Sequence, residues 1–264
     1  MPSQTDVMTG AIAMPGSKLE VVCWSASTVA ENLALDDALA RTARESGRCA
    51  LRFWWGGPPA VVIGSSERLD QVVDEAVCAR LGVEMLKRST GGGSVLQTSG
   101  VLNYALVTPA PARLDLKGAF RLGTDLICAI LDAFGLTGTP EGNSDVAVGG
   151  RKISGNAQAR RWKALLIHGT LIVDFDHALA EAVLKYPPRE PEYRRGRSHR
   201  DFLVTLRSLG VSGDRPAIER VALAAAQQVF RLGEADETSG MYVSFCSPGT
   251  GASAPSASPA VVIR

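Results

Sequence analysis

The spacing of hydrophobic positions changes along this chain, and each change separates a predicted strand from a predicted helix. Short runs of apolar, aromatic and β-branched residues bounded by turn residues indicate strands. The turn residues Gly56-Gly57-Pro58-Pro59 predict a hairpin-like pair on either side of them. Gly149-Gly150 predicts a second hairpin. We expect strands at residues 19–24, 50–55, 60–63, 83–86, 102–107, 146–148, 151–153 and 164–173.

Other stretches repeat apolar residues every three or four positions, which is the spacing of a helix with one buried face. The first begins at Asn32, with Asn32 or Thr28 as its N-cap, and ends near Gly47. Strands and helices alternate irregularly rather than as repeated βαβ units, so the pattern predicts an α+β or mixed α/β fold. We expect helices at residues 32–47, 69–82, 120–135, 178–184 and 216–232.

The same pattern predicts one main domain, spanning residues 19–246. Residues 1–18 are rich in Gly, Pro, Ser and Thr and are expected to form a loose arm. Residues 247–264 begin with a stretch of small residues and proline and are expected to be a disordered tail.

Composition excludes several classes of function. The 264 residues are 45% hydrophobic and 21% charged, with a formal net charge of +1, so no global field draws the chain to nucleic acid or to a membrane surface. The five cysteines are scattered without a CxxC pair, which indicates neither a disulfide framework nor a zinc site. A reduced, cytoplasmic setting fits this usage, and the first twenty residues lack the pattern of a secretory signal.

The segment from Lys87 to Val95, which we call the glycine turn, contains three consecutive glycines after two cations. Without Cβ atoms, main-chain N–H groups can close on a phosphate or a carboxylate. The alternative for an isolated run of glycines is a flexible surface turn with solvated charges.

A second glycine-bounded basic cluster lies further along, in Gly142-Asn143-Ser144-Asp145 and in residues 150–158. It places Lys152 between small residues that let a ligand approach closely. A fixed cation there suits the stabilisation of negative charge during phosphoryl or acyl transfer. A twisted hairpin with an exposed lysine is the alternative for this cluster alone, but two such clusters favour a small, negatively charged ligand.

Four motifs occur in an order that resembles a known family. They are the basic pair and GGG of the glycine turn followed by LNY, then GNSD, then GRKISGNAQ, then HGTLIVDFD. Together they resemble the lipoate-protein ligase A family, whose catalytic domain is shared with octanoyltransferases and biotin-protein ligases. The resemblance covers residues 20–205 approximately.

The resemblance implies a central mixed β-sheet with surrounding helices and a bent pocket for an acyl-adenylate. Lipoate and ATP would react there, with Mg²⁺, to lipoyl-AMP and pyrophosphate. The acyl group would pass to a lysine of a lipoyl carrier domain, in a 2-oxoacid dehydrogenase, a glycine cleavage H protein or another lipoate-binding protein. Full-length bacterial members append a small C-terminal domain, so the resemblance implies that either a separate accessory chain supplies it here or the protein works alone.

The resemblance also implies roles for individual residues. Lys152 matches the family's lysine that contacts the acyl carbonyl and the α-phosphate, and Asp145 would support Mg²⁺. The remaining residues implied to bind lipoate or the adenylate are Arg88, Thr90, Gly91, Gly92, Gly93, Ser94 and Val95 in the glycine turn, Asn143 beside Asp145, Ser154, Gly155 and Ala157 in an adenylate loop, and His168, Gly169 and Thr170 on the strand behind the pocket.

The chain departs from the family pattern at three places. Gln97-Thr98 stands where relatives often have His-Asp, Asn143-Ser144-Asp145 replaces Arg-Asn-Asp, and Lys87 replaces an arginine. The last change loses bidentate geometry.

Two other functions stay open. An ATP-independent octanoyltransferase would need a cysteine nucleophile, yet residues 136–151 contain none, and Cys128 and Cys246 lie elsewhere in the sequence. A non-catalytic protein that binds an acyl-adenylate or a carrier is the second alternative. Biotin ligation is disfavoured because its Gly-Arg-Gly-Arg arrangement is absent.

Overall fold

A computed structural model describes residues 19–110, 114–230 and 243–244 of the chain. Both the expected N-terminal arm, 1–18, and the expected tail, 247–264, lie outside the described residues. Within the described ranges no helix is both long and apolar enough to cross a membrane.

The described residues form eleven strands, arranged in two sheets. The strands are β1 Leu19–Cys23, β2 Cys49–Trp55, β3 Ala60–Ile63, β4 Glu84–Lys87, β5 Val95–Gln97, β6 Val101–Pro109, β7 Thr139–Glu141, β8 Asp145–Val148, β9 Arg151–Arg161, β10 Ala164–Ile172 and β11 Val243–Ser244. The larger sheet has eight strands in the order β11-β1-β2-β6-β10-β9-β8-β7, and the smaller has the order β4-β3-β5.

Both sheets are mixed. In the larger sheet β1 is parallel to β2 and β11, while the neighbours from β2 to β7 are antiparallel. In the smaller sheet β3 is parallel to β4 and antiparallel to β5.

The helices are α1 Val29–Ser46, α2 Leu69–Val72, α3 Glu75–Leu81, α4 Leu116–Ala133, α5 His177–Val183, α6 His199–Phe202 and α7 Arg215–Val229. The predicted α+β fold with a central mixed sheet is therefore confirmed.

The larger sheet has two different faces. One carries Phe53, Leu106 and Ile167, which pack with α4 and α7 in the main hydrophobic core. The opposite face is covered by α1 and by the smaller sheet, through contacts of residues such as Leu33 and Val62 with Trp54. The candidate site lies on this second face, because the smaller sheet leaves a gap over the strand centres.

Helix α1 begins three residues before the predicted Asn32. Thr28 is its N-cap and forms a capping box with Glu31, in which each side chain accepts a hydrogen bond from the other residue's backbone N–H. Gly47 ends the helix in the left-handed conformation, as predicted. Asn32 is fully buried and hydrogen-bonded instead to the loop before the helix.

The predicted hairpin of residues 50–55 and 60–63 is wrong, although both strands exist. β2 lies in the larger sheet and β3 in the smaller one. At Gly56 the chain leaves β2 and passes so close to Thr98 that a Cβ atom would lie 2.1 Å from the Thr98 carbonyl oxygen. The Gly-Pro segment thus carries the chain between sheets rather than reversing it within one.

The predicted helix at residues 69–82 is two helices. Val73 leaves the helical conformation and forms an isolated bridge with Leu184, and Asp74 then caps α3. The apolar spacing is continuous across this break because Val72, at the end of α2, and Val73, in the bridge, are both buried. The other predicted strands and helices are present. β9 continues to Arg161, eight residues beyond the predicted 151–153, and the remaining ends are shifted by a few residues. The strands β5, β7 and β11 and the helix α6 were not predicted.

Candidate active site

A bent cavity with two lobes lies between the two sheets. The inner lobe has a volume of about 140 Å³ and the outer lobe about 430 Å³. The residues that line both lobes, and so form their junction, are Gly93, Ser94, Val95, Ser144, Asp145, Lys152, Gly155 and Thr170. The two glycine-bounded clusters thus form opposite walls of one cavity.

Arg88 shapes the glycine turn from beneath. Its side chain is buried, and its guanidinium donates hydrogen bonds to the carbonyl oxygens of Gly91 and Gly93, at 2.6 and 2.8 Å, and to that of Val62 at 3.3 Å. Burial lowers the pKa of Arg88 to about 10, which leaves it charged at neutral pH. This cation is therefore held by main-chain acceptors of the turn itself.

The turn approaches β3 closely at one glycine that lies outside the GGG run. A Cβ atom on Gly64 would lie 2.0 Å from the carbonyl oxygen of Gly92, so only glycine fits there. Glu67 secures the same contact, since its Oε2 accepts hydrogen bonds from the Gly64 N–H and the Ser94 hydroxyl. Lys87 donates to the Glu67 carbonyl and does not line the cavity.

Thr90 connects the turn to β10. Its Oγ1 accepts from Arg88 Nε at 3.0 Å and lies 2.6 Å from His168 Nε2. Because Arg88 can only donate, the Thr90 hydroxyl proton is free to point at Nε2, which must then be unprotonated. Burial lowers the pKa of His168 to about 3, and Arg88 adds to this effect. His168 therefore lines the inner lobe as a neutral imidazole.

Lys152 reaches the cavity because of a β-bulge. Ala147 pairs with Lys152 while Val146 pairs with Ser154, so Ile153 is an extra residue in β9. Without it, the two-residue period of a strand would place Lys152 and Gly155 on opposite faces. With it, Ile153 and Ser154 are buried, and Lys152 and Gly155 both line the cavity.

The ammonium of Lys152 lies between the lobes. Its Nζ is 2.8 Å from Asp145 Oδ1, in an ion pair whose side chains are 24% and 12% exposed. The side chain crosses Gly155, where a Cβ atom would lie 2.8 Å from Nζ. Glycine at 155 thus leaves the space that the lysine occupies.

The inner lobe is apolar on one side and polar on the other. Leu33, Trp54 and Val62 form the apolar wall. Opposite, the amides of Gln97 and Asn103 exchange hydrogen bonds of 2.7 and 3.1 Å. The departure from the family pattern at Gln97 therefore has a partner inside the cavity.

Trp54 is held by a buried ion pair below this wall. Asp36 accepts from Arg52 at 2.8 Å and from the Trp54 indole at 3.1 Å. Asn32 also accepts from Arg52, so α1 and β2 are joined through charged and amide groups. Burial raises the pKa of Asp36 to about 6, against the opposing effect of Arg52.

The outer lobe is lined by basic residues of the connector, residues 186–199. Arg194 is buried, with its guanidinium 4.8 Å from the Tyr186 ring and 5.0 Å from the Phe202 ring. Burial lowers its pKa. Arg189, Lys185 and His199 also line this lobe. Glu67, Asp145 and Glu190 line the lobe as well, and Glu190 pairs with Arg194 at 3.6 Å, so cationic and anionic side chains both face a ligand there.

Most residues expected at the site line the cavity, and three do not. Thr90 and Ser154 are fully buried, Gly91 lies outside both lobes, and Ser154 belongs to a strand rather than to a loop. The expected residues that line a lobe are Arg88, Gly92, Gly93, Ser94, Val95, Asn143, Asp145, Lys152, Gly155, Ala157, His168, Gly169 and Thr170.

Asp145 does not belong to a metal cluster. Across the described residues no group of three or more His, Cys, Asp or Glu could hold a metal ion. Its Oδ1 pairs with Lys152, and its Oδ2 accepts from the Tyr193 hydroxyl at 2.9 Å. The expected Mg²⁺ would need most of its ligands from elsewhere.

Several residues of the site were not predicted from the sequence. Glu67 and Tyr193 act through partners that are distant in the chain, so no local pattern marks them. Asn103 lies in the LNY motif and pairs with Gln97, six residues before it. His177 and His199 are half-buried, and His199 lines the outer lobe.

The cysteines within the described residues lie away from the cavity. Cys49 and Cys78 are buried, while Cys23 and Cys128 are partly buried. Cys128, on α4, contacts the Gly138 carbonyl, and burial raises the pKa of its thiol to about 11. A thiol in that environment is a poor nucleophile. Cys246 lies outside the described residues.

Comparison with known proteins gives the family. Residues 28–230 match the model of the lipoyl protein ligase A/B catalytic domain. The chain therefore belongs to this enzyme family, as its four motifs suggested.

Individual relatives carry two different activities in their names. An Aeropyrum pernix protein named as a lipoate-protein ligase A is 34% identical over 145 residues, which cover 55% of this chain and only 54% of that protein. The octanoyltransferase LipM of Carboxydothermus hydrogenoformans is 31% identical over 186 residues, covering 62% of this chain and 68% of that protein. The family thus includes ligases and transferases similar to this chain.

A solved structure supports the fold. It is the bi-partite lipoate protein ligase of Thermoplasma acidophilum, studied with its E2 lipoyl domain, and it superposes with a TM-score of 0.71 at 25% identity. The match covers 81% of this chain and 84% of that one.

Proposed function

We propose that this chain is an ATP-dependent lipoate-protein ligase, which activates lipoate or octanoate as the acyl-adenylate and transfers the acyl group to a lysine of a lipoyl carrier domain. The observation that carries the proposal is the position of Lys152 at the junction of two lobes. One lobe is small with an apolar wall, and the other is larger and contains the cations Lys185, Arg189 and Arg194. That division suits a ligand with an acyl chain at one end and a nucleotide at the other.

The inner lobe would take the acyl chain. Leu33, Trp54 and Val62 provide its apolar wall. The other apolar residues of 61–63 and 102–107 are mainly buried in the core. A chain inserted here would place its carboxylate at the junction, within reach of Lys152. The outer lobe would take the ATP, whose phosphates meet Arg189, Arg194 and Lys185.

In the first step a carboxylate oxygen of the acid attacks the α-phosphorus of ATP, and the bond to the bridging oxygen of pyrophosphate breaks. Negative charge builds on the phosphoryl oxygens, and a fixed cation next to them lowers the barrier. In the second step the carrier amine attacks the carbonyl carbon and AMP leaves. Lys152 would serve both steps because it lies beside both groups.

A magnesium ion accompanying ATP fits only in part. Asp145 is the one carboxylate of the junction, and Lys152 and Tyr193 occupy its oxygens. Mg²⁺ in nucleotide sites commonly takes one or two carboxylates and completes its shell with phosphates and water. When bound, it would neutralise phosphate charge, and Asp145 is the residue that could contact it.

The partners follow from the same proposal. The Thermoplasma acidophilum ligase is bi-partite and was studied with its E2 lipoyl domain. We expect this chain to use a carrier of that kind, and an accessory chain would supply a second domain over the nucleotide.

The alternative is an octanoyltransferase, which the similarity to LipM favours. Such an enzyme would use a cysteine thioester and no ATP. Against it stands the absence of cysteine among the residues that line either lobe, all of which belong to the part of the chain that the structure describes.

The deciding experiment incubates the protein with ATP, Mg²⁺, lipoate or octanoate, and an apo carrier domain, followed by the intact mass of the carrier and by pyrophosphate release. We expect an acylated carrier only when ATP is present. Release of pyrophosphate without acylation would indicate a missing accessory chain. A bound acyl-adenylate without pyrophosphate release would support the non-catalytic alternative.

A second reaction tests the transferase. Octanoyl carrier protein is supplied without ATP, and each cysteine is replaced in turn. Acylated product that disappears in one cysteine variant would contradict the ligase proposal.

A further inference from the structure

The connector contacts the hairpin of β8 and β9 that carries Lys152, which we call the Lys152 hairpin. Two contacts involve the backbone of the hairpin. Arg197 of the connector donates to the Gly150 carbonyl at 3.0 Å, and the Val204 N–H, in the segment that follows the connector and α6, donates to the Lys152 carbonyl at 2.9 Å. The wall of the outer lobe and the lysine therefore belong to one hydrogen-bonded unit.

A third contact reaches the functional group itself. Tyr193 donates its hydroxyl to Asp145 Oδ2 at 2.9 Å, and Asp145 Oδ1 pairs with Lys152 Nζ at 2.8 Å. Burial and the neighbouring Asp145 raise the pKa of Tyr193, so its hydroxyl stays a donor. The ring of Tyr193 packs against Phe202, with centroids 5.1 Å apart.

Each oxygen of the Asp145 carboxylate thus has one partner. A carboxylate held at one oxygen can still rotate about its terminal torsion, which is a soft one. Held at both, it fixes the direction in which Oδ1 meets the ammonium. We propose that Tyr193 is a positioning residue, which through Asp145 fixes the Lys152 ammonium at the junction of the two lobes.

The consequence for function rests on the proposed ligase activity. The connector lines the lobe that would hold the nucleotide, and Tyr193 transmits the connector's position to the cation that would act on the α-phosphate. Tyr193 itself lines neither lobe, so it would affect turnover without contacting the ligand.

The test is Tyr193→Phe, which removes the hydroxyl and keeps the ring against Phe202. The backbone contacts at Lys152 and Gly150 remain, so the connector should stay folded, and a melting curve checks this. The matched control is Tyr186→Phe. It also removes a connector hydroxyl that bonds a carboxylate, but that carboxylate is Glu190 and not Asp145.

The first readout does not depend on any activity. Reductive methylation of the free protein, followed by peptide mass spectrometry, measures how fast Lys152 reacts. We expect Tyr193→Phe to raise the rate at Lys152 several-fold relative to wild type, and Tyr186→Phe to leave it unchanged. Equal rates in the two variants would overturn the proposal, even if the wild type formed no adenylate.

The second readout is the exchange of pyrophosphate into ATP that depends on added lipoate. We expect Tyr193→Phe to lower kcat about tenfold and to change the KM for lipoate less than twofold, as for a misplaced cation rather than a lost ligand contact. In the Asp145→Asn variant, adding Tyr193→Phe should lower kcat by less than twofold. A full tenfold loss in that background would show that Tyr193 does not act through Asp145.

Discussion

The glycine turn and the Lys152 hairpin look alike in sequence, since each places a cation beside several glycines. Their cations have different surroundings. Arg88 is buried and donates to the carbonyl oxygens of Gly91, Gly93 and Val62. Lys152 has one ionic partner, Asp145, and faces both lobes of the cavity.

The difference follows from the shape of the two side chains. A planar guanidinium with five donors can satisfy several fixed carbonyl groups at once, whereas an ammonium is a compact charge on a flexible stem. In the glycine turn, the guanidinium of Arg88 stabilises the conformation of the turn. In the Lys152 hairpin, the ammonium of Lys152 presents its charge to a ligand. A basic residue beside glycines therefore has two possible roles, which burial and partners distinguish.

The largest expected effect is on Lys152. We expect Lys152→Ala to reduce acid-dependent pyrophosphate release at least about a thousandfold, since removing one group that stabilises transition-state charge commonly costs about that much. The melting temperature should change little, because Asp145 keeps its contact with Tyr193. Lys87→Ala is the control, because Lys87 donates to the Glu67 carbonyl and does not line the cavity. Full activity in Lys152→Ala would remove the basis of the proposed function.

Arg88 should show the reverse pattern, with stability as the primary loss. Arg88→Ala leaves the carbonyls of Gly91, Gly93 and Val62 without their donor, and we expect the free energy of unfolding to fall by about 4 kcal/mol. Arg88→Lys should restore only part of this, because one ammonium cannot reach all three acceptors. Urea unfolding measures both variants. If Arg88→Ala lost activity at unchanged stability, Arg88 would instead be a ligand contact.

Two glycines at this contact are also unequal: Gly64, which follows β3 and meets the glycine turn, and Gly91, which lies within the turn. Gly64→Ala would bring a Cβ atom against the Gly92 carbonyl, and we expect a loss of about 3 kcal/mol in the free energy of unfolding. Gly91→Ala is the matched control, since a Cβ there meets nothing within 4 Å and its φ is not positive. We expect it to change stability by less than about 0.5 kcal/mol. Similar losses in both would mean that the turn packs differently on β3.

Much of the fold could be predicted because the elements carry local signals. The apolar run of β10 and the paired glycines between β8 and β9 each predict what the structure shows. The change of sheet after β2 could not be predicted, because it depends on the contact of Gly56 with Thr98, which is distant in the chain. The apolar spacing through Val73 likewise conceals the break between α2 and α3.

The site divides along the same line. Lys152 and Asp145 could be assigned from motifs, but their ion pair depends on the bulge at Ile153, which only the strand register reveals. The resemblance implies Ser154 in an adenylate loop, but Ser154 lies in β9, where its side chain is buried on the opposite face from Lys152. Glu67 and Tyr193 act across distant segments and have no signature in the sequence.

The smallest expected effect concerns the contact between the glycine turn and β10, which His168 makes with Thr90. Its pKa is about 3 in the folded protein and near 6.5 when unfolded, so below pH 6.5 the unfolded state binds more protons. The stability that depends on neutral His168 is therefore complete above about pH 6.5 and is lost as pH falls toward 3. Between pH 7 and pH 5 the loss is about 2 kcal/mol.

The variant His168→Gln should remove this part of the pH dependence. Glutamine can still meet the Thr90 hydroxyl but does not titrate, so its free energy of unfolding should fall less than that of wild type between pH 7 and pH 5, by about 2 kcal/mol. Urea unfolding at both pH values checks this. The control is His199→Gln, which should remove a smaller part of the pH dependence, because burial lowers the pKa of His199 too but the ring is only half-buried. Parallel pH profiles for wild type and His168→Gln would mean that His168 is already solvated in the native protein. The neutral imidazole between Thr90 and the inner lobe would then have to be abandoned, and with it the rigid connection between the glycine turn and β10.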